Sequence, residues 1–516
     1  MKKEIASILL FLLCFLPVVA QSAERDPQSI GDLIVLGLEV NLGLQIEKIN
    51  IPQRTETIEI EKALFDSELF AATGYDYLST PFDSSYSSSS ESHLENYSAQ
   101  LGVSKRLTTG LTASLFLDTK RVSDNDYYNN LDPSYRTTLM VDLNQPLLRN
   151  LGTSINTTNI EISRNQLRQE SLTYLLQAQS LILQLESVAR QLAAKTQIIQ
   201  LRQEAYDLAN ELYLANKKRF AAGSIPVSEV QEAETSLAGR QLSLSLAIQN
   251  RDILQEDLNR QLNHKLSKEF KPATLVDFNL NIKPTEFPDF KKLFESAQQK
   301  RLELKINDYS IQSSVLQKNY LHNQLKPQLD LNLQLGLNGF SGHERTSALA
   351  SQYSGNWMDS LSSMGDADGY QVRAGLEFSM PIGNRSAKSR YRQAELQLKK
   401  EHYQQKDLES LIESELLQQQ INVSHATEQL KITEHFEALA KKTFKQEQRR
   451  LEEGLSDTFR MILFQQAMIE AKIDRIDSIT QYYMALAKME FATGNIFERH
   501  NIVLSKNAEE LNLENI

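Results

Sequence analysis

The second half of this 516-residue chain repeats the pattern of its first half, and this duplication constrains the fold more than any other feature. In the first copy, mostly apolar residues recur every seven positions, at Leu185, Leu192, Ile199, Tyr206 and Tyr213; we call this row the seam. At a constant offset in residue number, the second copy has Leu416, Val423, Leu430, Glu437 and Phe444. At the same offset in residue number, Arg219 corresponds to Arg450 and Gly223 corresponds to Gly454. We infer that one helical hairpin occurs twice in the chain.

Two stretches without glycine or proline, 155–222 and 385–453, predict two continuous helices of unusual length. At 1.5 Å per residue such helices are roughly 90 to 100 Å long, so they must pack along other helices rather than around a compact core. The seven-residue spacing favours coiled-coil packing, in which small side chains allow close approach. The candidates for that role are Ala189, Ala193, Ala194, Ala205 and Ala209.

Each long helix ends at a glycine-containing turn that can reverse the chain. Gly223 is followed by Pro226, and Gly454 is followed by Ser456, Asp457 and Thr458. A left-handed glycine ends a helix, and proline or a capping side chain starts the next one. We therefore predict return helices over about 227–262 and 458–492, and an exposed tip on each hairpin.

Alternating apolar and polar residues predict strands between the helical segments. The clearest are Gln328–Leu337 and Gln371–Met380, and weaker examples lie at about 68–77, 97–105, 111–120 and 137–145. Their length suits tilted strands that cross a membrane. A soluble sandwich can alternate in the same way, but here charged residues share the polar face with glycine, which favours a wet lumen.

The number of strands predicts that several chains share one barrel. Four to six strands are too few, because the smallest outer-membrane barrels have about eight. An open sheet edge in lipid would leave backbone groups unpaired at a cost of several kcal/mol each.

Composition and targeting signals narrow the function classes. Lys2 and Lys3, an apolar stretch at 8–20 and small residues at Ala20 and Ala23 resemble a secretory signal. The only cysteine, Cys14, lies inside that signal, so we expect no disulfide or thiolate chemistry after cleavage. A net charge of −11 argues against nucleic acid as a partner, and the eight histidines include no pair at helical metal-ligand spacing.

With these features in duplicate and in this order, the chain resembles the TolC family, the outer-membrane factors of tripartite efflux pumps and type I secretion systems. The resemblance also covers "LFDSELF" and the strand-to-helix corners "QPLLRNLG" and "MPIGNRS". It implies an α+β fold in which a duplicated repeat of long antiparallel coiled-coil helices and short antiparallel strands forms a shared trimeric β-barrel and a periplasmic α-barrel. It further implies a homotrimer in outer-membrane lipid, a periplasmic adaptor, a proton-driven or ABC inner-membrane transporter, no cofactor and no catalysis.

On this reading the chain divides into nine segments. They are a signal peptide (1–23), an N-terminal periplasmic helix (24–67), the first barrel strands (68–146), the first α-barrel hairpin (150–262), an equatorial linker (263–288), a helix opening the second repeat (289–326), the second barrel strands (327–381), the second α-barrel hairpin (385–495) and an equatorial tail (496–516).

The first half is longer than the second between matched positions. The two repeats align at an offset of about 260 residues near their start, where "NLGLQIEKI" matches "RLELKINDY". The offset is only 235 residues at the later matched pair, Pro146 and Pro381. Residues 97–122 have about the length of this difference and can form an extra hairpin that turns at Thr108–Gly110. Either the barrel exceeds the family's twelve strands, or this hairpin lies outside it.

The resemblance places the channel's candidate aperture at the hairpin tips. Glu229 matches the family's acidic latch residue, whereas the latch arginine and tyrosine fall on Ser456 and Leu451, and the pore aspartate falls on Arg460. We hypothesise that Glu229 and Arg460 pair across the closed aperture; the alternative is two solvated charges. The candidate adaptor-docking residues are Ala222, Gly223, Ser224, Glu453, Gly454 and Leu455, and the strand-to-helix corners contain Pro146, Gly152, Pro381 and Gly383.

The sequence leaves three candidate functions for the chain. The first is the exit duct of an efflux pump for small molecules, and the second is the exit duct of a type I system for a protein or peptide. The third, a trimeric coiled-coil adhesin or scaffold, would place its strands at the C-terminus, whereas this chain ends "SKNAEELNLENI". No nucleophile elbow or phosphate loop supports an enzyme.

Overall fold

The computed structural model of the chain describes residues 27, 29–81, 91–126, 129–264, 289–345, 352–366 and 369–502. The predicted signal at 1–23, nearly all of the linker at 263–288 and most of the tail at 496–516 lie outside the described residues. The chain divides into two compact units. The first contains Met1–Ile49, Leu172–Leu304 and Leu408–Ile516, and the second contains Asn50–Ser171 and Lys305–Asp407.

Helices make up most of the described residues. They are α1 (Ile30–Val40), α2 (Leu42–Lys62), α3 (Thr153–Asn156), α4 (Thr158–Ala221), α5 (Val227–Gln261), α6 (Phe290–Lys300), α7 (Leu302–Asn323), α8 (Trp357–Ser363), α9 (Arg385–Glu452), α10 (Thr458–Ala492) and α11 (Ile496–Arg499). Among the described helices, none combines the length and the apolar character needed to cross a membrane.

The two long helices follow the stretches that lack glycine and proline. Helix α4 has 64 residues and α9 has 68, and each ends within one residue of its predicted end. The return helices α5 and α10 have 35 residues each. Uninterrupted helical propensity thus fixes the length of the hairpins, and the glycine turns fix their ends.

The segments predicted as single helices at 24–67 and 289–326 each contain two helices. Asn41 separates α1 from α2, and Arg301 separates α6 from α7. Both residues have extended backbone, with φ −67° and ψ 118° at Asn41 and φ −65° and ψ 121° at Arg301. Neither break is marked by glycine or proline, so helical propensity alone does not reveal it.

In the part of the chain that the structure describes, six strands form one antiparallel sheet in chain order. They are β1 (Ser67–Pro81), β2 (Glu91–Arg106), β3 (Thr112–Asp124), β4 (Leu131–Pro146), β5 (Gln328–Glu344) and β6 (Gly369–Ser379). The extra hairpin predicted at 97–122 falls on β2 and β3, which pair with β1 and β4. Within the chain this hairpin is therefore part of the sheet.

The core of the first unit is a set of three hydrophobic clusters between its helices. All five alanines proposed for close helix packing are buried. The predicted seam is buried at Leu185 and Leu192, but farther along α4 burial passes to Ile198, Ala205 and Ala209. An α-helix has 3.6 residues per turn, so a contact stripe drifts away from a strict seven-residue repeat.

Candidate functional sites: the hairpin tips and the two-faced sheet

Both hairpin tips, which lie in the first unit, use the same left-handed glycine turn. Gly223 has φ +69° and Gly454 has φ +74°. The N–H of Ser224 donates to the carbonyl of Arg219 at 2.9 Å, and the N–H of Leu455 donates to the carbonyl of Arg450 at 2.7 Å. No atom lies within 4 Å of a Cβ added at either glycine, so the backbone conformation rather than packing requires glycine.

The tips are exposed and partly apolar. The predicted docking residues Ala222, Gly223, Ser224, Glu453, Gly454 and Leu455 are all exposed. Phe220 and Val227 flank the first turn, Phe459 follows the second, and these side chains are exposed as well. Each tip therefore presents large apolar side chains around a fixed turn, an arrangement typical of a protein-binding surface.

A buried polar network connects the two hairpins just behind the tips. Thr458 Oγ1 donates to Glu229 Oε2 at 2.8 Å, and Asn216 Nδ2 donates to Thr458 Oγ1 at 2.9 Å. Asn216 also donates to the carbonyl of Glu229 at 3.2 Å. Asn216 is 1% exposed and Thr458 is fully buried. Buried polar contacts of this kind fix the alignment of packed helices, because any other alignment leaves polar atoms without partners.

A second polar network lies inside the second hairpin. Ser456 Oγ donates to the buried carboxylate of Glu447, and Arg450 lies 3.7 Å from the same carboxylate. Leu451 is partly buried and packs against the hydrophobic cluster formed by α4, α9 and α10. Ser456 and Leu451, which the sequence resemblance aligned with a latch arginine and tyrosine, therefore make contacts within the first unit instead.

The charged pair predicted from the sequence is absent within one chain. Arg460 is exposed, and its backbone N–H donates to Oδ1 of the N-cap residue Asp457 at 2.8 Å. Over the described residues, no ion pair joins Glu229 to Arg460, and Glu229 binds Thr458 instead. Pairing between neighbouring copies of the chain stays a prediction.

A buried ion cluster fixes the C-terminal segment to α4. Glu186, fully buried, accepts hydrogen bonds from Arg190 at 2.8 Å, Arg499 at 3.1 Å and His500 at 3.1 Å. Burial alone would raise the pKa of the Glu186 carboxyl. The hydrogen bond from His500 and the charges of Arg190 and Arg499 outweigh burial and lower that pKa to about 2.

In the second unit, one face of the sheet carries apolar side chains on every strand near the strand-to-helix corners, whereas Thr119, Arg121 and Thr137 lie on this face toward its other end. A representative row of paired residues on this face is Leu69, Val103, Leu115, Val141, Leu335 and Val372, and the next row is Ala71, Leu101, Leu117, Leu139, Leu337 and Tyr370. Many of these side chains are exposed, including Tyr370 at 74% and Leu376 at 67%. Tyr75, Tyr97, Tyr135 and Tyr370 lie toward the end of this face farthest from the strand-to-helix corners.

The opposite face is mainly polar, although Phe70, Phe116 and Met140 form an apolar row on it. The row Glu68, Ser104, Ser114, Asp142, Gln334 and Arg373 crosses all six strands. Gln334 donates to Asp142 at 2.9 Å, and Arg373 donates to Gln334 at 3.4 Å. Charged and amide side chains hydrogen-bond across this face, so it suits contact with water.

Helix α8 packs on the apolar face near the tyrosines, in a segment where the sequence analysis gave no helix. Ser360 Oγ lies 2.8 Å from Thr137 Oγ1, and both residues are fully buried. Trp357 Nε1 donates to Thr119 Oγ1 at 2.6 Å. A Cβ on Gly339 would lie 1.8 Å from the carbonyl oxygen of Ser360, so this close approach requires glycine.

The predicted strand-to-helix corners also use glycine in the left-handed region. Gly152 has φ +99° and Gly383 has φ +85°. Pro146 ends β4 and pairs with Asp330, and Pro381 follows β6. Asn residues reinforce both corners: the N–H of Asn150 donates to Asn323 Oδ1 at 2.8 Å, and Asn384 Nδ2 donates to the carbonyl of Leu325 at 3.2 Å.

Sequence patterns missed Asn216 and Thr458. Asn216 lies seven residues after Ala209, on the buried stripe of α4. A polar residue at a position expected to be buried could have indicated a polar contact between helices. Its counterpart in the second repeat is the buried Glu447, so each repeat places one buried polar side chain behind its tip. Within the described residues, no group of three or more His, Cys, Asp or Glu side chains could hold a metal ion.

The fold matches solved outer-membrane channels at low sequence identity. The outer-membrane channel OprN matches with a TM-score of 0.65 and 14% identity, covering 92% of this chain and 91% of that one. The Campylobacter jejuni CmeC outer membrane channel matches with a TM-score of 0.65 and 14% identity, over 94% and 88% of the two chains. The open state of the Neisseria gonorrhoeae MtrE outer membrane channel gives 0.59 and 13%, over 91% and 90%. No family profile and no curated protein matches the chain by sequence.

Proposed function

We propose that this chain, which has the fold of the TolC-family outer-membrane channels, assembles with identical copies into an exit duct across the bacterial outer membrane. The observation that carries the proposal is the two-faced sheet, apolar on one face and polar on the other. In a bilayer the apolar face contacts lipid, and the polar face lines a water-filled lumen.

The exposed apolar face is far larger than soluble monomers tolerate. Exposed leucine, valine or aromatic side chains occur on β1, β2, β3, β5 and β6 and would face water, and such surfaces mark membrane or protein contacts. Tyrosines near one end match the aromatic girdle that anchors barrels at the membrane surface. Outer-membrane lipid explains both features.

The helical hairpins supply the periplasmic part of the proposed duct. Three copies would form an α-barrel, and the exposed tips would bind a periplasmic adaptor that links the duct to an inner-membrane transporter, proton-driven or ABC. The network of Asn216, Glu229 and Thr458 would hold the tips closed at rest. The duct conducts small molecules and catalyses nothing, since the transporter supplies the energy.

Three measurements on the full-length protein test this proposal. Membrane fractionation should place the protein in the outer membrane, and its mass in detergent should correspond to three chains. Planar bilayers should show one rarely open conductance per trimer. A protein found only in the soluble fraction, or a trimer that never conducts even after Glu229 and Thr458 are both replaced by Ala, would refute the channel function.

A further inference from the structure

The sheet contributes six strands per chain rather than the four that the family's twelve-stranded trimer requires. Strands β2 and β3 lie between β1 and β4 and are paired along their length on both sides. The turn between them is fixed to the neighbouring corner: the N–H of Gly152 donates to the carbonyl of Thr109 at 3.1 Å, and Arg106 donates to Asn156 Oδ1 at 2.9 Å. The extra hairpin is therefore an integral part of the wall.

The two edge strands, β1 and β6, are complementary. Within the described residues each pairs with a single neighbouring strand, and each has exposed apolar side chains on the same face, such as Leu69 and Leu376. Because four antiparallel strands lie between them, β1 and β6 run in opposite directions and can pair as antiparallel strands between copies. In lipid this pairing removes the cost of unpaired backbone groups.

We propose that three copies close a barrel of eighteen strands, in which β6 of each copy pairs with β1 of the next. The proposal rests on the channel function proposed above. If Tyr75 and Tyr370 lie side by side in the aromatic girdle, Ala71 lies beside Ala374 at each junction.

The strand number sets the width of the lumen. With strands about 4.8 Å apart and tilted by about 40°, eighteen strands give a backbone diameter of about 36 Å, whereas twelve give about 24 Å. After side chains are subtracted, the bore is about 25 Å, roughly twice the diameter of a helix. The barrel is therefore wide enough to pass cargo as bulky as a helical polypeptide hairpin, in addition to the small molecules of the function proposed above.

Paired cysteines test the strand order, since Cys14 of the signal segment is the only natural cysteine. In the sheet Ala71 faces Leu101 on β2, so Ala71→Cys with Leu101→Cys should form a disulfide within one chain. Ala71→Cys with Ala374→Cys should form disulfides between chains and give a covalent trimer. Ala71→Cys with Leu139→Cys should form none, because β2 and β3 separate these strands.

The opposite cross-linking pattern would overturn the proposal. A disulfide between positions 71 and 139 would mean that β1 pairs with β4 and that the extra hairpin lies outside the wall. Failure of position 71 to cross-link with any of positions 372, 374 and 376 on β6 would exclude the proposed junction.

A strand count and a polymer test on the wild-type trimer complete the experiment. Single-particle images should show eighteen strands, and polyethylene glycol added on the extracellular side should enter the lumen up to a radius of about 12 Å, against about 7 Å for twelve strands. A conducting outer-membrane trimer with twelve strands would refute this inference and leave the channel function intact. A protein that is neither trimeric nor in the membrane would refute both.

Discussion

Asn41 and Arg301, at matched positions of the two repeats, end their helices with the same backbone hydrogen bond. The N–H of Asn41 donates to the carbonyl of Gly37 at 3.0 Å, and the N–H of Arg301 donates to the carbonyl of Ala297 at 2.8 Å. Both side chains then reach the end of a return helix: Asn41 donates to the carbonyl of Gln261 at 2.9 Å, and Arg301 to that of Ala492 at 3.2 Å. Gln261 and Ala492 also occupy matched positions, each the last residue of its return helix, so the duplication extends to single hydrogen bonds.

Replacing Arg301 should destabilise the protein more than replacing Asn41. Arg301 is buried and pairs with Glu415 and Glu303 at 2.9 Å, so Arg301→Ala leaves two partly buried carboxylates without their partner, at a cost of about 3 kcal/mol. Asn41→Ala loses neutral hydrogen bonds worth about 1 kcal/mol. Thermal unfolding of the purified protein measures both effects. Arg251→Ala, at an exposed pair, is the control, and an equal loss for Arg301→Ala and Arg251→Ala would contradict the prediction.

The repeated helices could be read from the sequence because their signals are local. Uninterrupted helical propensity gives α4 and α9, left-handed glycines give the tips, and alternation gives β5 and β6. The breaks at Asn41 and Arg301 were missed because tertiary hydrogen bonds hold them. Pro52, the residue that most suggests a break, lies inside α2. Helix α8 was missed for two reasons. Its position depends on close packing of Ser360 against Gly339, which is a tertiary contact, and a helix of seven residues is too short to show a clear hydrophobic periodicity.

The second prediction concerns the link between the hairpins at Thr458. Thr458→Val keeps the shape of the side chain but removes the donor to Glu229 and the acceptor for the buried Asn216, which we expect to cost about 1 to 3 kcal/mol locally. The hairpins should separate more often, so the open probability of the channel in bilayers should rise. Thr235→Val, on an exposed part of α5, is the matched control. Equal open probabilities in the two variants would mean that this link does not hold the tip closed.

The third prediction separates the link to Thr458 from the hypothesised pair between Glu229 and Arg460. If Glu229 acts only through Thr458, Glu229→Ala raises the open probability and Arg460→Ala leaves it unchanged. If the charges also pair between copies, Arg460→Ala opens the channel too, and the exchange Glu229→Arg with Arg460→Glu partly restores closure. We expect the second pattern. If the open probability of Arg460→Ala equals that of the wild type, the charge pair is excluded. Such a pair contributes at most about 1 kcal/mol if it is exposed.

The fourth prediction is an acid dependence that arises from Glu186. Its pKa falls from 4.5 to about 2 in the folded protein, so the folded carboxyl binds a proton less readily than the unfolded one. The resulting stabilisation, about 3 kcal/mol, is complete above about pH 4.5 and is lost as the pH falls toward 2. Glu186→Gln should therefore lower the unfolding temperature at neutral pH and flatten its decline between pH 5 and 2. The exposed Glu232→Gln should follow the wild-type curve, and a Glu186→Gln curve parallel to wild type would exclude this carboxylate as the acid-sensitive group.

The fifth prediction uses Trp357, the only tryptophan in the chain, to locate helix α8. Gly339→Val places a side chain where the carbonyl of Ser360 lies, so the helix must move and the bond from Trp357 to Thr119 must break. The tryptophan emission should shift to longer wavelength, whereas Gly375→Val, at an open site on the polar face of the sheet, should leave it unchanged. Because α8 packs on the face that we assign to lipid, brominated lipids should quench Trp357 in the wild type. Emission that brominated lipids do not quench would place this helix away from the membrane and would reverse the assignment of the two faces of the sheet.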